Sequence, residues 1–146
     1  MSEDLKEVLT YSNSLKVLFA EDNYDVRIQL LKLLENFFSE IDVEIDGEKA
    51  LNKYNSFQNN NNKHYDLVIT DLSMPKIDGV ELSKRIIDKN PEQLILVISA
   101  HTESEKIKEL EKIGVYEFLR KPVDYKLLLN TLISVILKIK ENKEEN

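Results

Sequence analysis

Five short apolar runs, separated by longer stretches of helical period, constrain this chain more than any other feature. Lys16–Ala20 (KVLFA) reads as a buried strand. Tyr24 to Phe38 follows, with Val26, Leu30, Leu33, Leu34 and Phe37 on one helical stripe. Ile41–Ile45 alternates apolar and acidic residues, as a half-exposed edge strand does. A helix from about Glu48 to Phe57 leads to a strand over Tyr65–Thr70, and a helix over Val80–Lys89 leads to Leu94–Ser99. That fourth run is apolar and β-branched, so it is expected to be buried on both faces. Ser104–Ile113 is helical and stops at Gly114, a natural residue for the turn after a helix. Tyr116–Leu119 is the last strand, and Asp124 can cap a final helix running to about Lys140. Regular alternation of strand and helix predicts an α/β fold, with parallel strands, right-handed crossovers and helices on both faces.

A chain of 146 residues fits one domain with a real core. Residues 1–13 read as an N-terminal extension, 14–140 as the domain and 141–146 as a polar, frayed tail. The run QNNNNKH (58–64) reads as a loop insertion without chemistry. With 27 acidic and 20 basic side chains the net charge is −7, which argues against direct nucleic-acid binding. Absence of cysteine excludes disulfides and thiolate metal sites. The N-terminus lacks a signal-peptide core, and Leu94–Ile98 is far too short to span a bilayer. A soluble, cytoplasmic chain without a membrane partner is the expectation.

Parallel strands bring their carboxyl ends to one edge, where open α/β sheets bind ligands. Glu21 and Asp22 end the first strand, Asp71 the third, Ser99 the fourth, and Lys121 with Pro122 the fifth. Each has an ordinary explanation alone: Glu21, Asp22 and Asn23 can cap a helix, Ser99 can form a turn, and Lys121 can sit in solvent. Together they make a chemical set. Crowded carboxylates raise one another's pKa unless a cation lies among them. Oxygen ligands with room for water suit Mg²⁺ or Mn²⁺. A carboxylate beside such an ion can attack phosphorus, with the ion and a lysine stabilising the transferred oxygens. Asp71 is therefore the candidate phosphate acceptor.

VLFAEDN, DLVITDLSMPKIDG, LVISA and FLRKP, in this order and spacing, resemble the receiver domains of two-component response regulators, including the chemotaxis regulator. The resemblance covers roughly residues 14–140. It implies a doubly wound, flavodoxin-like receiver fold of five strands in the order 2-1-3-4-5. It also implies phosphorylation by a histidine kinase or phosphotransfer protein and dependence on a divalent metal. Glu21 and Asp22 match the family's metal-holding acids, Asp71 its phosphoacceptor, and the carbonyl of Ser73 would complete the metal site. Ser99 matches the switch hydroxyl, Lys121 the family's lysine, Phe118 its switch aromatic, and Pro122 a proline with a cis peptide. Phe118 has no hydroxyl through which a rotamer change could be read. Ser73 and His101 resemble positions that tune phosphoryl lifetime, although a loop histidine is the plainer reading of His101, and more so of His64. The expected role is a signalling phosphoacceptor and not a classical enzyme.

Rival readings fail on particular residues. A haloacid-dehalogenase-type phosphatase needs an aspartate two residues beyond the nucleophile, where Ser73 stands. Gly47, Gly79 and Gly114 are too few and too scattered for a phosphate-cradling loop. A receiver kept only as a binding or dimerisation module would be expected to lack the acceptor or the lysine. No output domain follows residue 140, so the chain either acts by contact or is part of a longer protein. On the last helix, Leu128, Leu129, Leu132, Val135, Ile136 and Ile139 form the core stripe, which leaves Leu127, Ile133 and Leu137 over. They either pack on a neighbour such as Leu5, Val8 and Leu9, or form a surface for a homodimer or a target.

Overall fold

The computed structural model describes residues 2–100 and 103–145. Its elements are α1 (Ser2–Ser12), β1 (Lys16–Ala20), α2 (Tyr24–Leu34), β2 (Glu40–Glu44), α3 (Gly47–Asn61) and β3 (Leu67–Thr70), then α4 (Gly79–Lys89), β4 (Ile95–Ser99), α5 (Ser104–Ile113), β5 (Glu117–Arg120) and α6 (Tyr125–Glu145). All strand pairs are parallel and the order is β2-β1-β3-β4-β5. The order reverses between β1 and β3, so the crevice at their carboxyl ends is the place for a ligand.

Side chains alternate across the strands and divide the core in two. Val17, Phe19, Leu67, Ile69, Leu96 and Ile98 pack under α1, α2 and α6. Leu18, Ala20, Val68, Ile95 and Val97 pack under α3, α4 and α5. All five residues of β4 are buried, whereas β2 is half-exposed along its length, as the sequence patterns predict. Five of the six residues of the expected α6 core stripe, Leu128, Leu132, Val135, Ile136 and Ile139, are buried, and Leu129 packs partly buried against them.

Four local differences from the sequence reading have physical causes. The N-terminal extension forms a helix, held by Val8 in the core and by the Ser12 hydroxyl donating to the Phe37 carbonyl at 2.5 Å. The asparagine run does not loop: α3 continues to Asn61 and ends where Asn62 takes φ 54°, a left-handed conformation that asparagine tolerates. α2 stops at Leu34, and a turn still delivers Phe37 and Phe38 to the core. The polar tail continues α6 to Glu145, where Lys143 reaches back to Asp66 at 2.7 Å. Among the described residues no helix is long and apolar enough to cross a membrane.

Candidate phosphoacceptor site

Glu21 follows directly on β1 and is 1% exposed, and the loop carries Asp22 out to solvent. Glu21 accepts from the Asn23 backbone N–H at 3.2 Å, and the Asn23 side chain caps α2 through the Val26 N–H at 3.0 Å. The tight loop between strand and helix thus turns both acids toward the same edge. β3 delivers Asp71, 7% exposed, next to them. Oxygens of Glu21, Asp22 and Asp71 all lie within 4.8 Å of one another.

Beneath Asp71 the chain must turn back at once, and Gly79 allows it. The Gly79 N–H donates to the Leu72 carbonyl at 2.7 Å, and a Cβ at Gly79 would sit 2.1 Å from the Asp71 carbonyl oxygen. Any side chain there would push α4 away from the backbone of Asp71.

Lys121, after β5, spans the cluster. Its ammonium donates to Glu21 Oε1 at 2.6 Å and to Asp71 Oδ2 at 2.9 Å. Asp71 Oδ1 accepts from the Leu72 N–H at 2.6 Å, with the Ser73 N–H further off at 3.4 Å. The fully buried Ser99 side chain, at the end of β4, also hydrogen-bonds Asp71. The Lys121–Pro122 peptide is cis. Phe118 is half-buried on the α3–α4–α5 side of the sheet. His101 lies outside the described residues. His64 is remote from this edge and stacks on Tyr54 with ring centroids 5.5 Å apart.

The two buried acids respond to this setting in opposite directions. Burial pushes Glu21 up to about 6, with repulsion from Asp71 adding to it against the pull of Lys121. Burial also acts to raise Asp71, but hydrogen bonds from Lys121, Ser99 and Leu72 outweigh it and hold this carboxyl below the usual range. Lys121 is pulled upward by its two carboxylate partners despite burial. Asp71 is thus ionised at neutral pH, while Glu21 is the member of the pair that takes up a proton first as pH falls. One ammonium facing three carboxylates leaves the cluster short of positive charge. An all-oxygen donor set with one solvent-exposed member fits a hard divalent cation that keeps part of its water.

One residue at this edge was not singled out from the sequence. Arg27 Nη1 donates to the carbonyls of Glu21 at 3.0 Å and Asp22 at 3.2 Å, and its guanidinium lies 5.4 Å from the centre of the Tyr24 ring. Its position in the helix turn that follows two acids was the available signal.

Comparison with known proteins agrees with this geometry. The response regulator receiver domain family matches residues 17–133. The chemotaxis protein CheY of Treponema pallidum is 29% identical over 83% of this chain and 82% of its own length. The N-terminal domain of an uncharacterized protein from Wolinella succinogenes is 32% identical, with a TM-score of 0.76 over 89% of this chain and 99% of that one. A chain of the CheX–CheY–BeF3–Mg²⁺ complex of Borrelia burgdorferi is 29% identical, with a TM-score of 0.73 over 83% of this chain and 88% of that one. Other curated relatives are far longer, and the chain spans 33% of one and 10% of another. The chain belongs to the response regulator receiver domain family of two-component signalling.

Proposed function

We propose that Asp71 accepts a phosphoryl group from the phosphohistidine of a kinase or phosphotransfer protein, and that the resulting acyl phosphate changes the surface offered to a downstream partner. The observation that carries this reading is the Asp71 carboxylate, buried and ionised, bonded at 2.9 Å to Lys121 inside an acidic cluster. Family membership and likeness to a relative solved with BeF3 and Mg²⁺ support it. We assign the reaction to the cytoplasm and the functional unit to residues 14–140.

In the transfer, an Asp71 oxygen attacks phosphorus as the bond from phosphorus to the donor imidazole nitrogen breaks. The electron pair stays on that nitrogen, which takes up a proton. Lys121 already donates to Asp71, so it is positioned to follow the charge onto the phosphoryl oxygens. A Mg²⁺ or Mn²⁺ ion held by Glu21, Asp22, Asp71 and the Ser73 carbonyl would supply further positive charge to those oxygens. Ser99 gains a new acceptor and turns toward it, and Phe118 moves into the space released, altering the face built by β5 and α6.

The partner surface lies on the exposed side of α6. Ile133 packs partly buried against the core, whereas Leu137, 49% exposed, lines an open groove of about 400 Å³ with Leu5, Val8 and Tyr11 of α1. Leu127 stays outside this groove and is 52% exposed. It is the better candidate for a homodimer or target contact. Leu127→Ser is expected to weaken such association and leave phosphorylation unchanged, checked by sedimentation with and without phosphodonor.

Incubation with acetyl phosphate and Mg²⁺, followed by intact-mass measurement, tests the central claim. One phosphoryl group per chain is expected, with none on Asp71→Asn. Undiminished labelling of that variant would overturn the assignment.

A further inference from the structure

Arg27 stands where a cation is out of place for the helix alone. It is the fourth residue of α2, near the end that carries partial positive charge, where acids and not bases are stabilising. Its backbone N–H is already satisfied by the Asn23 carbonyl at 2.8 Å, so the helix does not need its side chain. The guanidinium turns back to the loop instead, and a single nitrogen, Nη1, donates to both the Glu21 and Asp22 carbonyls. The exposed Tyr24 ring lies against the guanidinium and restricts its swing.

The two carbonyls belong to the residues whose carboxylates enter the acidic cluster. Glu21 has side-chain restraints of its own, from Lys121 and the Asn23 N–H. Asp22 does not: among the described residues its carboxylate has no hydrogen bond or ion pair, and its direction rests on the main chain that Arg27 grips. Holding both peptide units fixes how the loop presents the Asp22 carboxylate beside Asp71.

We propose that Arg27 is a positioning residue of the phosphoacceptor site, clamping the Glu21 and Asp22 carbonyls so that both carboxylates are preset for a divalent cation. Tyr24 keeps the clamp in place. This rests on the proposed function, because it takes the acidic cluster to be the metal site. Groups that orient metal ligands from outside the coordination sphere typically carry about tenfold or more in affinity. The effect should fall on metal binding and not on the phosphoryl-transfer step, since Arg27 contacts the Glu21 and Asp22 carbonyls and not the Asp71 carboxylate.

The test is a Mg²⁺ titration by calorimetry, paired with acetyl phosphate labelling across a range of Mg²⁺ concentrations, on wild type, Arg27→Ala and Arg27→Lys. Arg27→Ala is expected to weaken Mg²⁺ about tenfold, to shift half-saturation of the labelling rate by the same factor, and to reach the wild-type rate at saturating Mg²⁺. Arg27→Lys keeps a charged nitrogen on a shorter arm that has no flat face to lie against Tyr24, and is expected to fall between the two. It also serves as the folded variant if Arg27→Ala does not fold. Unchanged half-saturation in Arg27→Ala, a lower rate at saturating Mg²⁺ without that shift, or wild-type behaviour of Arg27→Lys would each overturn the clamp. Wild-type protein that neither binds Mg²⁺ nor takes up phosphate would overturn the proposed function itself, whereas an unaffected variant beside a working wild type overturns only the role of Arg27.

Discussion

At the amino edge of the sheet, Asp66 accepts from the Lys16 backbone N–H at 2.8 Å and pairs with Lys143 at 2.7 Å. Asp42 pairs with Lys16 at 3.2 Å and accepts from the Tyr65 hydroxyl at 2.5 Å. At the carboxyl edge of the same sheet, Glu21 and Asp71 share one lysine, and Asp22 waits beside them. The first edge closes its charges: each of its two inner acids has two donors, and a cation sits on each. The second leaves an excess of negative charge, with one carboxyl held half-protonated near pH 6. The same residue types at two edges of one sheet therefore serve different ends. Satisfied acids tie elements together; crowded ones, one carboxyl raised and its neighbour lowered, mark the candidate functional site.

The largest expected contrast separates the two edges by chemistry. Lys121→Ala removes the donor that faces the transferring oxygens and should slow acetyl phosphate labelling by about 100-fold or more. Mg²⁺ affinity should change little, because the lysine is a rival for the carboxylates and not a ligand. Lys143→Ala, which breaks the Asp66 pair, should label at the wild-type rate. Equal losses in both variants would erase the distinction between the edges.

Stability should distinguish them with opposite signs. Glu21 has a folded pKa of about 6 against an ordinary 4.5, so the folded protein binds the proton more tightly than the unfolded chain. This group then contributes stability below pH 4.5 that is lost as pH rises through 6. Glu21→Gln should stabilise the metal-free protein at pH 7.5 by about 1–2 kcal/mol, and the gain should vanish near pH 4.5. Asp66→Asn, at the satisfied edge, should destabilise it by about 1 kcal/mol at pH 7.5. Denaturant melts of both variants at the two pH values check the signs. Adding Mg²⁺ should reverse the order for Glu21→Gln, since wild type then gains from binding and the variant much less.

The carboxyl edge was far more legible in the sequence than the amino edge, for a physical reason. Residues that must meet a ligand sit at strand ends, directly after apolar runs whose period is plain, so Glu21, Asp71, Ser99 and Lys121 could be assigned from alternation alone. The strand order and the Ser73, Phe118 and Pro122 assignments came only from the family resemblance. Contacts that close the amino edge depend on where a tail or an extension returns in space. Lys143 lies in a stretch too polar to predict as packed, yet an ion pair with Asp66 anchors it. The helical state of α1 was not read, although contact of Val8 with the last helix was one of the two alternatives, because Val8 is buried only once α6 is beside it. The asparagine run misled because composition speaks of average behaviour, while α3 is anchored by Tyr54 and Phe57 just before the run. Arg27 escaped notice because its partners are backbone carbonyls, which leave no pattern in a sequence.

The smallest expected effect tests whether the amino edge is a set of independent pairs. Glu40 is the outermost acid there, with a side chain 64% exposed and its oxygen 3.8 Å from the Lys16 ammonium, which lies closer to Asp42. At that exposure water screens the attraction, and ordering two long side chains cancels much of it. Glu40→Gln should change stability by less than about 0.5 kcal/mol and leave labelling and Mg²⁺ affinity alone. Raising the salt concentration should leave even that difference smaller, because exposed pairs are screened first. A loss well above this, or one that salt does not touch, would mean that Lys16, Asp42 and Glu40 act as one coupled network. The amino edge would then resemble the acidic cluster at the other end of the sheet, and the contrast between satisfied and crowded acids would no longer separate structure from function in this fold.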